Sequence, residues 1–386
     1  MNKRSAVVIL AAVTLAGLTA ALAVLLTGGG EKEAAPAHTM PGGQAMTEPM
    51  ADAAHEGMVV GTVWVANEGS GSLTAIDAAT NKVVTTLTGV EGPHNLQVSP
   101  DGRSVWAVSG HDSLALIVDS ETYDLHGTVP TGKEPAHIVL TPDGAKAYAT
   151  NGADDTVTVI DVAAMKQVAT IAVGGFPHGL RPSPDGKWIY VANAKGTTVS
   201  VIDVASDRKV ADIEVGEAPV QVGFAPDGNF AYVSLNAEDA VGKIDVAAQK
   251  LVGKTEVGDG PIQVYVSPDG RYLVVANQGT EDAPSRTVSI FDTSTFEPVA
   301  TLDSGAGAHG VVVDPSSRHA YITNIYGGDV SVIDLEERRV VARVPVGLEP
   351  NGISFSPFAP APASALELPL PLFGEDEGEM PGMDMG

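Results

Sequence analysis

The chain of 386 residues contains no cysteine. That absence excludes disulfides, thiolate metal sites, a covalently attached c-type haem and a lipobox-type lipid anchor on this chain. Positive charge is scarce as well: 22 Lys plus Arg stand against 48 Asp plus Glu, a formal charge of −26. A surface this acidic repels phosphate backbones, so nucleic acid is not an expected partner. Aromatic residues make up only 5 %, yet 44 % of the chain is hydrophobic, enough for a substantial core. The middle of the chain also lacks a helical period. Val, Ile, Thr and Tyr gather there in short runs separated by turn residues, the pattern of β-strands.

A strict repeat fills that middle. An aspartate closes the same β-rich phrase at Asp77, Asp119, Asp161, Asp203 and Asp245, each 42 residues after the last. It returns at Asp292 after 47 residues and at Asp334 after another 42. Pro-Asp-Gly keeps the same interval, with its aspartate at Asp101, Asp143, Asp185, Asp227 and Asp269, and decays to Asp314-Pro315-Ser316-Ser317. Proline fixes φ at the first turn position and glycine accepts a positive φ at the last, so this tripeptide reads as a hairpin turn. Seven copies of roughly 40–45 residues give the period of a four-stranded propeller blade. In one copy the strands are expected at 136–141, 145–150, 156–161 and 167–173.

The first copy lacks an inner strand and begins at 62–67, while the last stops after its inner strand at 352–356. Joining the two makes one composite blade, and a closed ring leaves no free sheet edge. The expected fold is all-β: a seven-bladed β-propeller over about 59–357, with four antiparallel strands per blade.

Val65-Ala66-Asn67, Tyr148-Ala149-Thr150-Asn151, Tyr190-Val191-Ala192-Asn193, Val274-Val275-Ala276-Asn277 and Tyr321-Ile322-Thr323-Asn324 are versions of one phrase. With them the repeat resembles the YVTN-type seven-bladed β-propeller family, which includes surface-layer and YncE-like extracytoplasmic propellers. The resemblance covers all seven copies and implies the fold. It implies no single activity, because such propellers host enzymes, cofactor carriers and binding modules alike.

The ends differ from the repeat. Lys3 and Arg4 precede an uncharged run at 5–27, whose 23 residues suffice for one membrane span of about 20. Residues 1–30 therefore read as an N-terminal hydrophobic helix, a signal-anchor that leaves the propeller outside the cytoplasm. A cut after Ala21-Leu22-Ala23 would instead make the protein secreted or periplasmic. Residues 31–58 read as a flexible tether, and 358–386 as a tail, first Pro-rich and then acidic.

Two groups of residues bear on function. The first is the methionine and histidine of the ends: His38, Met40, Met46, Met50, His55 and Met58 before the propeller, Met380, Met383 and Met385 after it. Thioethers beside imidazole suit copper, Cu(I) above all, and these segments look like the methionine-rich stretches of bacterial copper-handling proteins. Their loose spacing defines no geometry, and tails also tolerate methionine without a ligand. The second group is His94, His178 and His309, each after the residue that leads into an inner strand, with His137 one step later in its copy. The equivalent residues elsewhere are Val220, Ile262 and Asn351. The four histidines should ring one mouth of the channel, where imidazoles bind copper, zinc or a planar cofactor. Strand alternation should turn His137 another way, and ligands from four blades are far apart for an ion held at about 2.0–2.1 Å. A packing role for them is the competing expectation.

The strand-ending Asn67, Asn151, Asn193, Asn277 and Asn324 read as structural, and the recurring Trp64, Trp106, Tyr148, Tyr190, Tyr232 and Tyr321 as packing between blades. The extra residues of the longest copy fall at 278–286, where a partner would bind or the loop has simply drifted. No nucleophile with a partnered base stands out. The chain thus reads as a membrane-anchored, extracytoplasmic binding module for an envelope protein or small ligand, with copper handled by its tails. The alternatives are an extracytoplasmic enzyme, lactone hydrolase-like or a metal- or haem-dependent oxidoreductase, and a structural surface-layer-like protein.

Overall fold

A computed structural model describes residues 59–370. The hydrophobic run at 5–27, the tether and the methionines of both ends lie outside the described residues. Among the described residues no helix is long and apolar enough to cross a membrane.

The chain begins in the composite blade with β1 (Thr62–Asn67), β2 (Ser72–Asp77) and β3 (Lys82–Thr88), then enters the next blade with β4 (Pro93–Val98). Seven sheets follow one another around the ring; six have four antiparallel strands. Counting blades by inner strand, β4 opens blade one, and Pro135–Leu140, Pro177–Pro182, Pro219–Phe224, Pro261–Val266 and Ala308–Val313 open blades two to six. Blade seven closes the ring as expected. Its inner strand, Pro350–Ser356, pairs with β1 in the register Thr62↔Ser356 and Trp64↔Ser354.

The three inner strands of each blade are buried on both faces, whereas outermost strands such as β3 alternate toward solvent. The recurring aromatics all sit in the core, and Tyr148 donates to Asp207 Oδ1 of the next blade at 2.7 Å. The repeated aspartates hold turns. Asp101 Oδ1 accepts from Ser99 Oγ (2.6 Å) and Arg103 N, with Gly102 at φ +76°; Asp161 and Asp203 accept from backbone amides three residues on.

Each strand-ending asparagine spans its own hairpin. Asn193 Nδ2 donates to Thr198 Oγ1 and Ser200 Oγ at 3.0 Å each, and its Oδ1 accepts from Gly174 N at 3.1 Å. Asn67, Asn151, Asn277 and Asn324 repeat the donation to the following strand.

Two features were not legible in the repeat. Every inner strand carries a bulge just inside its leading residue: Pro93 faces Ser109, but Leu96 faces Ala107, so two residues of β4 oppose one. The same shift occurs in the other six blades. The second feature is a strap. Beyond Ser356 the chain stays on the propeller: Thr62 Oγ1 donates to Phe358 O (2.8 Å), Tyr123 OH to Ala361 O (2.6 Å) and Thr85 Oγ1 to Ser364 O (3.0 Å). Leu366–Glu367 then adds a fifth, parallel strand outside β3, and Leu368 is buried in the cluster around Trp64 and Leu87. The tail drawn from 358 onward in the sequence is therefore packed chain as far as Leu370.

Candidate metal centre

The inner strands start on one face of the ring, and the bulges lie at those starts. A bulge re-aims side chains that simple alternation would send apart. This corrects the expectation for His137: although one residue out of phase, it joins the other histidines in the channel. Its ring centroid is 4.7 Å from that of His178 and 5.8 Å from that of His94. Three of the four imidazoles also lie close enough together for one ion. Each of His94, His137 and His178 offers a nitrogen, and the three nitrogens lie within 4.8 Å of one another. His309 stands beside them, 6.4 Å from His94 between centroids.

The outer nitrogen of each ring is held by a different neighbour. His94 Nδ1 lies 3.0 Å from Glu68 Oε2, a carboxylate that also accepts from Asn351 Nδ2 at 2.8 Å. His178 Nδ1 donates to Val220 O at 3.3 Å, and His309 Nδ1 to Gln278 Oε1 at 2.8 Å. For His178 and His309 the acceptor places the proton on Nδ1 and leaves Nε2 with its lone pair, whereas His94 Nδ1 lies between Glu68 Oε2 and Asn351 Nδ2, the latter at 3.1 Å. His137 is arranged the other way. Gln221 Oε1 accepts from Val222 N, which turns the amide Nε2 toward His137 Nδ1 at 3.4 Å and puts the imidazole proton on Nε2.

His94 Nε2 and His178 Nε2 are 3.1 Å apart. Were both rings neutral with the proton on Nδ1, two lone pairs would face each other; a proton on His94 Nε2 makes the contact an N–H···N hydrogen bond beside the Glu68 carboxylate, and a metal cation fits the same gap. Two nitrogens bound at about 2.0–2.1 Å to one tetrahedral ion would be separated by about 3.3 Å. The observed spacing is near that value. His137 Nε2 and His309 Nε2 are buried without a protein partner, as are Gln263 Nε2 and Asn351 Oδ1. Buried polar atoms in folded proteins are rarely left so.

Titration follows burial. Desolvation, with the neighbouring His94 second, depresses His178 and His309 to about 3, and desolvation holds His137 well below the ordinary histidine range. These rings are neutral bases at physiological pH, the state a metal requires. Burial pushes Glu68 up, but the charge of His94 and hydrogen bonds from His94 and Asn351 prevail and bring it to about 2. Glu68 thus supplies a negative charge behind the cluster.

Sequence reasoning found the histidines but missed Glu68 and Gln278. A signal existed: both directly follow a strand-ending asparagine, Asn67 and Asn277, where other copies have Gly152, Ala194 or Ile325. Gln278 also opens the longer loop at 278–286, so the insertion contributes a residue that orients His309 and that itself donates to Tyr326 OH at 2.9 Å.

Fold and site together define a seven-bladed propeller with a histidine cluster at one channel mouth. Residues 102–358 match the YNCE-like beta-propeller family, and the chain belongs to that family. No curated protein matches. Among solved structures, Kuenenia stuttgartiensis hydrazine synthase is similar, with 26 % identity and a TM-score of 0.63 over 70 % of this chain and 91 % of that one. A functionally unknown protein from Desulfotomaculum acetoxidans is similar at 18 % identity and TM-score 0.67, over 78 % of this chain and 99 % of its own. A candidate 6-phosphogluconolactonase from Bacteroides uniformis is similar at 19 % and 0.66, over 76 % and 99 %. At 18 % and 19 % identity the last two bear on the fold alone.

Proposed function

We propose that this protein is a metal-binding module of the cell envelope, and that its ligand is a copper ion held at the channel mouth by His94 and His178. The single observation that carries this reading is the pair of Nε2 atoms 3.1 Å apart, each ring tied back through Nδ1. His137 and His309 stand beside this pair, 5.8 and 6.4 Å from His94 between ring centroids, and Glu68 balances charge from behind. A set made only of imidazole nitrogens suits copper and zinc, and the absence of cysteine removes the thiolates on which zinc so often relies. The methionine-rich ends tip the choice to copper, since thioethers favour Cu(I) over zinc. In the same reading residues 5–27 anchor the propeller to the membrane and keep it outside the cytoplasm.

No comparable observation supports catalysis on a lactone: among the described residues, the neighbours of the histidines are Glu68, Gln221, Gln278, Asn351 and the Val220 carbonyl, without a hydroxyl nucleophile on a histidine nitrogen. The test is the metal content of the full chain purified from copper-supplemented cells, measured by mass spectrometry. About one copper per chain, lost in H94A/H178A, is the expected result. A metal-free chain, or equal copper in the double variant, would refute it.

A further inference from the structure

One level below the histidines, the inner strands carry a single charge. Two residues after the place that His137 holds in its copy, six strands have Gln97, Val139, Gly223, Tyr265, Val312 and Ser354, and the seventh has Arg181. Residues two apart share a face of a strand, so Arg181 projects from the side that His137 uses on its own strand, about 7 Å further along the channel. None of the other six is acidic. Among the described residues the arginine ion pairs are those of Arg286, Arg318, Arg339 and Arg343, and Arg181 has none. Of its five N–H donors one is accounted for: Nη1 donates to the backbone oxygen of Leu180 at 3.0 Å.

Neighbouring glycines show where the side chain goes. A Cβ on Gly179 would collide with Gln221 and the Val220 carbonyl of blade four, and a Cβ on Gly223 would lie 3.1 Å from Val264 O of blade five. Side chains on this face therefore lean onto the next blade. Arg181 leans onto blade four, where Gly223 has no side chain to oppose it, and Tyr265 stands beyond that gap. Burial raises the Tyr265 hydroxyl, and the charge of Arg181 opposes the rise. Burial lowers His137, and Arg181 is among the charges that push it further. The guanidinium thus lies within electrostatic reach of both. Arg181 and Tyr265 are only partly buried, although an inner strand has no outer surface, so the space they meet is that of the channel. Two residues before Tyr265, Gln263 Oε1 accepts from Val311 N at 3.4 Å, while its buried Nε2 has no partner.

A cation withdrawn from bulk water without a counter-charge destabilises the fold until an anion joins it. Guanidinium offers parallel N–H bonds to two oxygens of one group, which an ammonium cannot. We propose that the channel holds one small oxyanion on Arg181, bound through two oxygens by the guanidinium fork, with the Tyr265 hydroxyl as a further donor. This site does not depend on a metal at the histidines. It stands on the unpaired arginine and on the gap at Gly223. Carboxylates, phosphate and sulfate all have the required pair of oxygens.

The test is calorimetric titration of the full chain, at constant ionic strength, with sodium formate, acetate, phosphate and sulfate in turn. At least one is expected to bind at one per chain, with a dissociation constant of about 1 mM or tighter. Whether the carboxylates or the tetrahedral anions bind better identifies the source. R181Q should bind that anion about tenfold more weakly or worse, and H94A/H178A as well as the wild type. R181K keeps the charge without the planar fork, so it should bind about threefold more weakly or worse, whether or not R181Q folds. No binding of any of the four would overturn the proposal, as would equal binding by R181Q or R181K. Loss of binding in H94A/H178A would place the anion on the histidines instead and overturn it too.

Discussion

The asparagines at the strand ends and the histidines at the channel mouth occupy the same face of the same repeat, yet they differ in every physical respect. Each asparagine donates its Nδ2 to the strand that follows in its own blade, in five of the seven copies, and of the five only Asn277 leaves its Oδ1 without a partner; Asn193 and Asn151 make the same bonds. The histidines reach across blades, occur in four of seven, and leave Nε2 atoms buried without partners. Their outer partners differ too: a carboxylate, a backbone carbonyl and two amide side chains. A polar group that recurs and is saturated stabilises the fold. A polar group that breaks the repeat and is left unsatisfied is poised for something from outside the protein.

Substitutions can separate the two behaviours. The largest effect is expected for H94A/H178A, which should weaken copper binding by at least 100-fold in a chelator competition. The far-UV circular dichroism of the metal-free variant should stay that of the wild type. N193A should do the reverse. It removes two hydrogen bonds to hydroxyls, the one to Ser200 buried, and takes the acceptor from Gly174 N–H, a loss of about 2–3 kcal/mol at roughly 1 kcal/mol per bond. Denaturant titration measures that loss, and copper affinity should be unaltered. E68Q lies between the classes. It keeps the shape beside His94 but takes away the charge, and outer-shell changes of this kind cost about 10–100-fold in metal affinity.

The last effect is on pH dependence. His178 and His309 sit at about 3 when folded, against about 6.5 in an unfolded chain. The unfolded state therefore binds more protons between those values. The stability of the metal-free protein should be fully present above pH 6.5 and fall as pH drops from 6.5 toward 3. Glu68, at about 2 instead of 4.5, adds a loss in the same direction below pH 4.5. H178A should flatten the upper part of that fall in a series of thermal melts, and an unchanged slope would show that His178 is charged in the fold.

The blades could be read from the chain because a repeat states each structural requirement seven times. Pro-Asp-Gly turns, the aspartate phrase and the split first copy all correspond to observed elements, including the pairing of Pro350–Ser356 with β1. The site was only half legible. His94, His178 and His309 announced themselves by position, but the convergence of His137 depends on a bulge that no single residue marks. Glu68 and Gln278 act from beyond the repeated phrase. The strap was hidden for another reason: Ala361, Ala363 and Leu370 read as low-complexity tail until the cluster around Trp64 and Tyr123 is there to receive them.

The most direct test of the account is the copper K-edge absorption spectrum of the full chain loaded with one equivalent of Cu(I). A first shell of imidazole nitrogens at about 2.0 Å, with no sulfur, that disappears in H94A/H178A is the predicted result. A sulfur-dominated shell, or an identical spectrum from the double variant, would contradict a copper site at the channel mouth.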